Sequence, residues 1–117
     1  MGGARILLVD DEGPLLDLLK RYLERLGYEV DSFLTPADAL AQFESDPERY
    51  ALVLTDLTLP GMSGDEMIAR MQERSPQLRA IVSSGYPHEA TDGRTRFLQK
   101  PFLPKMLAEQ IEELLKS

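Results

Sequence analysis

Cysteine is absent from this chain of 117 residues. That absence excludes both a disulfide framework and a thiolate metal site. Long apolar runs are missing too: Ile6-Leu7-Leu8-Val9 is typical of the longest, against the roughly 20 residues that span a bilayer. No charged segment precedes a long apolar stretch, so neither a membrane span nor a secretory leader is expected, and the cytoplasm is the ordinary location. Basic residues are in the minority, 13 Lys and Arg against 20 Asp and Glu, for a formal charge of −7. A phosphate backbone needs clustered cations, so direct nucleic-acid binding is not expected. What the chain does have is 43% hydrophobic residues, enough for one core in one domain of this length.

Those hydrophobic residues alternate between two periods. Arg5 to Val9 reads as a buried parallel strand, apolar throughout after its first residue. After Asp10-Asp11-Glu12, Pro14 opens a helix with Leu15, Leu19, Tyr22 and Leu26 as its inward stripe and Gly27 just past its end. Glu29 to Phe33 reads as a second strand, and Thr35-Pro36-Ala37-Asp38 as the cap of a helix carrying Leu40 and Phe43. Leu52 to Thr55 forms a third strand ending at Asp56. The turn Leu59-Pro60-Gly61-Met62 then leads to the capping box Ser63-Gly64-Asp65-Glu66 and a helix with Met67, Ile68 and Met71 inward. Ala80 to Ser83 reads as a fourth strand and Phe97-Leu98 as a short fifth, while Pro104 opens a last helix with Leu107, Ile111 and Leu114 on one stripe. Pro87 to Arg96 is too polar for a full helix, so a fourth crossover helix is expected to be shortened or missing. His88, the single histidine, reads as an exposed loop residue there. Strand and helix in alternation imply an α/β fold, a parallel sheet of five strands with helices on both faces. No internal repeat or linker divides it, so residues 1–117 are read as one domain.

In such a sheet, functional groups collect where strands end at their carboxyl edges, beside a topological switch point. Asp10 and Asp11 follow the first strand, Asp56 ends the third, Ser84 the fourth and Lys100 the fifth. If the first and third strands are neighbours, three carboxylates converge. Two such charges about 4 Å apart repel by about 4 kcal/mol at an effective dielectric near 20, so the cluster calls for a cation or altered protonation. Oxygen ligands with no His or Cys nearby suit Mg2+. A carboxylate nucleophile, a lysine ammonium and a hydroxyl beside that ion make an inventory for phosphoryl transfer through an acyl phosphate.

Four ordered segments carry a resemblance. Asp10-Asp11-Glu12, the run Asp56-Leu57-Thr58-Leu59-Pro60-Gly61-Met62-Ser63-Gly64, Ser84-Gly85, and Phe97-Leu98-Gln99-Lys100-Pro101-Phe102 resemble the receiver domains of two-component response regulators over nearly the whole chain. The resemblance implies a flavodoxin-like doubly wound sheet of order 2-1-3-4-5. It implies that Asp56 accepts a phosphoryl group from a histidine kinase or a histidine phosphotransfer protein. Asp11, Asp56 and the backbone carbonyl of Thr58 would ligate Mg2+, with Asp10 acting through water. Ser84 and Lys100 would contact phosphoryl oxygens, Ser84 and Phe97 would form the switch, and the Lys100-Pro101 bond would be cis. Ser83 stays open as the hydroxyl if the strand register shifts by one. Tyr86, two beyond Ser84, is bulky and is expected to slow hydrolysis.

The same resemblance implies a signalling switch with self-catalysed phosphotransfer and dephosphorylation, not an enzyme with a diffusing substrate. The changed surface would be read by a downstream protein, by another domain of the parent chain or through a homodimer contact. Residues 1–4 read as a linker remnant, in keeping with the C-terminal receiver of a hybrid sensor histidine kinase. Rival readings exist for each motif. The acidic triplet could cap a helix, Asp56 could be a turn former, and Lys100 a solvated lysine. An aspartyl phosphatase would want a second acid where Thr58 stands, and a flavin module would not place Asp10-Asp11-Glu12 against a phosphate. The strongest rival is a receiver-like interaction module that works without phosphorylation.

Overall fold

The computed structural model describes residues 4–85 and 94–116. Five strands, β1 (Arg5–Val9), β2 (Glu29–Phe33), β3 (Leu52–Asp56), β4 (Arg79–Ser84) and β5 (Thr95–Gln99), alternate with helices α1 (Gly13–Arg25), α2 (Pro36–Ser45), α3 (Gly64–Arg74) and α4 (Pro104–Lys116). All neighbouring strands pair in parallel, in the order β2-β1-β3-β4-β5. This is the flavodoxin-like, doubly wound sheet that the residues and the resemblance implied. The proposed shortening of a fourth crossover helix, together with Tyr86 and His88, falls in residues 86–93, outside the described residues.

Both faces of the sheet are covered because successive side chains of a strand point opposite ways. Ile6, Leu8, Leu52 and Leu54 meet Leu19 of α1 and Ile111 of α4 on one face. Leu7, Val9 and Val53 meet Phe43 of α2 and Met67 and Met71 of α3 on the other. Each such side chain stabilises the fold by about 2 kcal/mol relative to exposure, and that is why the strands read as unbroken apolar runs.

The ends of the helices follow local chemistry. The Thr35 and Ser63 hydroxyls accept from the Asp38 and Glu66 backbone N–H groups, each at 3.2 Å, satisfying N–H groups that have no partner within the helix. At the end of α1, Gly27 takes a φ of 100°, which a side chain would strain. Its N–H donates to Glu24 and the next, from Tyr28, to Leu23, so the last carbonyls of α1 are used.

Two expectations are corrected. The buried stripe of α1 is Leu16, Leu19 and Leu23, with Leu26 exposed and Leu15 and Tyr22 only partly buried. A leucine-rich helix supports more than one inward phase, and contact with the sheet selects among them. The fifth strand runs from Thr95 to Gln99 and is longer than its apolar pair Phe97-Leu98, because Ala80 to Ser84 of β4 supply a backbone partner for each of its residues. A 3₁₀ turn at Pro47–Arg49 precedes β3, a feature the apolar pattern did not signal.

Tyr50, the buried residue that follows this turn, donates its hydroxyl to Asp31 Oδ2 at 2.6 Å. Burial, helped by that bond and by the carboxylate charge, pushes the phenol from 10.0 up to about 12. A phenol whose native pKa is raised contributes stability that is fully present below pH 10 and lost as pH rises toward 12. Urea unfolding across that window should show a loss of about 1–3 kcal/mol in the wild type. Tyr50→Phe should lack that part of the slope.

Gly64 opens α3 where it passes closest to the sheet. A β-carbon there would lie 2.3 Å from the Asp56 backbone oxygen and 2.9 Å from Thr55 Cγ2, so any side chain must push β3 and α3 apart. Gly64→Ala should therefore lose about 1–3 kcal/mol in chemical denaturation, although alanine is the better helix former.

Candidate functional site

The sheet order puts the ends of β1 and β3 side by side, with Val9 opposite Thr55, so the residues that follow, Asp10 and Asp56, face each other. Asp10 is buried and Asp11 exposed, yet one carboxylate oxygen from each of Asp10, Asp11 and Asp56 can be chosen so that all lie within 4.8 Å of one another. Asp10 Oδ1 accepts the Glu12 backbone N–H at 2.9 Å, which fixes its direction. Leu16, Leu54 and Phe102 line the site alongside Asp10, Asp56 and Ser83, and their apolar surface keeps the carboxylates poorly solvated from below.

Lys100 arrives from the far side of β4. Its backbone N–H donates to the Ser84 carbonyl at 2.7 Å, and its side chain reaches across the end of β4 to the acids. Lys100 Nζ lies 3.3 Å from Asp56 Oδ2, 3.7 Å from Asp10 Oδ2 and 3.9 Å from Glu12 Oε1. Small residues at the end of β4, Ser83, Ser84 and Gly85, leave that route open. The peptide bond between Lys100 and Pro101 is cis, as the resemblance implied.

Charge and burial act on these groups in opposition. Burial raises the Asp10 carboxyl above its ordinary value, and the Asp56 and Glu12 charges add to this, while the Glu12 N–H and the Lys100 ammonium pull it down. Burial alone would lower Lys100, but attraction to Asp10, Asp56 and Glu12 outweighs it and holds the amine above its usual range. The lysine is a fixed cation here, yet it balances only one of the surrounding acids. Among the described residues the donor set is all oxygen, and so it fits a hard divalent cation.

Of the residues singled out in the sequence, Asp10, Asp11, Asp56 and Lys100 converge. Thr58 is exposed in the loop between β3 and α3, which is closed by the Gly64 N–H donating to the Leu57 carbonyl at 2.8 Å. Ser83 and Ser84 are both buried at the end of β4. Ser83 is the one in register with Asp56, and its hydroxyl lies 3.5 Å from the Thr55 carbonyl. Phe97 is half-buried in β5 against the face covered by α2 and α3, beside Val82. Residue-by-residue reading did not single out Glu12 as a partner of Lys100, although it completes an acidic triplet. Nor did it reveal the close approach of Gly64 to Asp56, which only the packing of α3 defines.

The arrangement is that of an α/β domain with an acidic, metal-compatible site at the topological switch point of its sheet. A family model described as the response regulator receiver domain matches residues 6–112, and the chain belongs to that family. It is 32% identical to the response regulator receiver protein CpdR of Brucella abortus (strain 2308), over 95% of this chain and 96% of that one. It is 31% identical to the sensor kinase CckA of the same organism, over 97% of this chain but only 13% of the kinase. Among solved structures, the response regulator TrrA of Thermotoga maritima, in complex with Mg2+ and BeF, matches with a TM-score of 0.82 at 32% identity, covering 96% of this chain and 99% of that one. The protein is thus a receiver domain of the two-component type, a signalling switch in class. Among the described residues no helix is long and apolar enough to cross a membrane.

Crowded, partly buried acids destabilise a fold that holds no cation. Asp10→Asn keeps an acceptor for the Glu12 N–H while removing one charge. It should raise the melting temperature of the metal-free protein at neutral pH by about 5 °C, as about 1 kcal/mol does in a domain of this size. Millimolar Mg2+, which stabilises whichever form binds it more tightly, should narrow that gap. Differential scanning calorimetry with and without the metal measures both effects.

Proposed function

We propose that Asp56 is the phosphoacceptor, taking a phosphoryl group from a phosphohistidine on a histidine kinase or a histidine phosphotransfer protein. The observation that carries this reading is the Lys100 ammonium 3.3 Å from Asp56 Oδ2, in a site where three carboxylates crowd together. A carboxylate oxygen of Asp56 attacks phosphorus, the phosphorus–nitrogen bond to the donor imidazole breaks, and the imidazole leaves with a proton taken from solvent. Lys100 pairs with an oxygen of the transferred group, so part of the charge on that group meets a cation already in position. Asp11, Asp56 and the Thr58 backbone carbonyl are the residues that would hold Mg2+, with Asp10 linked through water. Bound there, the ion would supply further neutralisation of the phosphoryl oxygens. The likeness to TrrA, a protein solved with Mg2+ and BeF, supports this assignment.

Ser84 is the hydroxyl assigned to the phosphoryl group. Its approach, together with a rearranged Phe97, turns a local charge change into a changed surface. The in-register position of Ser83 beside Asp56 favours one second reading, in which Ser83 donates that bond. The changed surface is read by a partner protein, a homodimer contact or another domain of a longer parent chain. Residues 1–117 act as one cytoplasmic receiver unit, either alone, as the match to CpdR suggests, or as the receiver segment of a kinase, as the match to CckA suggests.

Incubation with acetyl phosphate and Mg2+ should add the mass of one phosphoryl group to the wild-type protein. Asp56→Asn or excess EDTA should abolish the addition, and Lys100→Ala should slow it by roughly 100-fold. A wild type that stays unmodified while folded and Mg2+-bound would leave the phosphorylation-independent module as the better reading. Loss of phosphoryl-dependent change in Ser84→Ala but not in Ser83→Ala decides between the hydroxyls.

A further inference from the structure

Thr55 looks like one more buried strand residue, yet its hydroxyl is put to a particular use. It is fully buried, and its Oγ1 donates to the Asp56 backbone carbonyl at 2.9 Å. Pairing with β1 ends at Val9 opposite Thr55, so the Asp56 carbonyl lies one residue past the end of that ladder. On the other side of the same peptide unit, the Leu57 N–H donates to the Ser83 carbonyl at 2.8 Å. The peptide joining Asp56 to Leu57 is therefore gripped at both ends. Gly64 closes the third side, since a β-carbon there would strike both the Asp56 oxygen and the Thr55 methyl. The Gly64 N–H then returns to the Leu57 carbonyl at 2.8 Å, so the loop that carries Thr58 closes on the peptide unit next to this one.

We propose that Thr55 is a positioning residue for phosphoryl acceptance: its hydroxyl sets the plane of the Asp56–Leu57 peptide, and with it the aim of the Asp56 carboxylate and the start of the 57–64 loop. This rests on the reading of Asp56 as acceptor. The physical reason is that β3 outruns β1 here, so that without the Thr55 hydroxyl the last peptide would be held only at its N–H, from β4, and its carbonyl could tilt. A rotation that displaces the carboxylate by even a fraction of an ångström moves it relative to an ammonium whose own place is fixed from β5. A side-chain donor on the preceding residue replaces the missing ladder bond without adding a strand.

Two substitutions separate the hydroxyl from the bulk of the side chain. Thr55→Val keeps the shape and loses the donor. Thr55→Ser keeps the donor and loses the methyl that packs on Gly64. The rate of phosphorylation by acetyl phosphate and the Mg2+ affinity by calorimetry should both fall roughly five- to tenfold in the valine variant. Both should stay within about twofold of wild type in the serine variant, even though that variant carries the packing defect and its loss of stability. A purely structural role would instead make the two readouts follow stability. Wild-type values in Thr55→Val, or an equal loss in Thr55→Ser, would overturn the proposal. A wild type that binds Mg2+ but accepts no phosphoryl group would overturn the acceptor reading, and the role of Thr55 would then be decided on Mg2+ affinity alone.

Discussion

The Lys100 ammonium stands 3.3 Å from Asp56 and 3.7 Å from Asp10, at an edge of the sheet where acids outnumber cations. Three stretches of chain, the turn after β1, the end of β3 and the turn after β5, meet there. Without a positive charge between them, the carboxylates would repel one another in a poorly solvated site. The lysine offsets part of that repulsion and leaves the rest as an attraction for a divalent ion. The rest of the site's chemistry follows from this incomplete neutralisation.

The fold supplies what a lone lysine could not. Lys100 must reach across β4, so β4 has to end in small residues, and Ser83, Ser84 and Gly85 stand in that position. Asp10 must be buried enough to be aimed, and the Glu12 N–H aims it. Asp56 must point at the amine while the chain turns away into the 57–64 loop, which the close passage of α3 at Gly64 allows. Stability is strained at this edge, because the charged groups gathered there are those that burial penalises. The two apolar layers, one under α1 and α4 and the other under α2 and α3, offset that cost.

Membership of the receiver family fits this division of labour. The likeness of 32% to CpdR spans nearly the whole of both chains, while the likeness of 31% to CckA spans 13% of that much longer kinase. In this chain the strand ends, the acids and the lysine form one edge of one sheet. What lies on the outer surfaces can differ without disturbing it, since loops and helix exteriors carry little of the core energy.

The amino-acid sequence by itself determined the alternation of strands and helices, the caps at Thr35 and Ser63, and the identity of the acids and of the lysine. Each of these depends on local spacing: an apolar run between turn residues, a hydroxyl three residues before an N–H, a charge at the end of a strand. Tertiary structure decided which face of α1 is inward, because Leu15 to Leu26 is leucine-rich on more than one side and only contact with the sheet chooses Leu16, Leu19 and Leu23. It also decided the length of β5, whose polar residues are strand only because β4 lies beside them. The partnership of Glu12 with Lys100, and the contacts of Thr55 and Gly64 around the Asp56 carbonyl, join residues through space. No periodicity records them, since they exist only once the carboxyl ends of β1, β3 and β5 are brought to one edge.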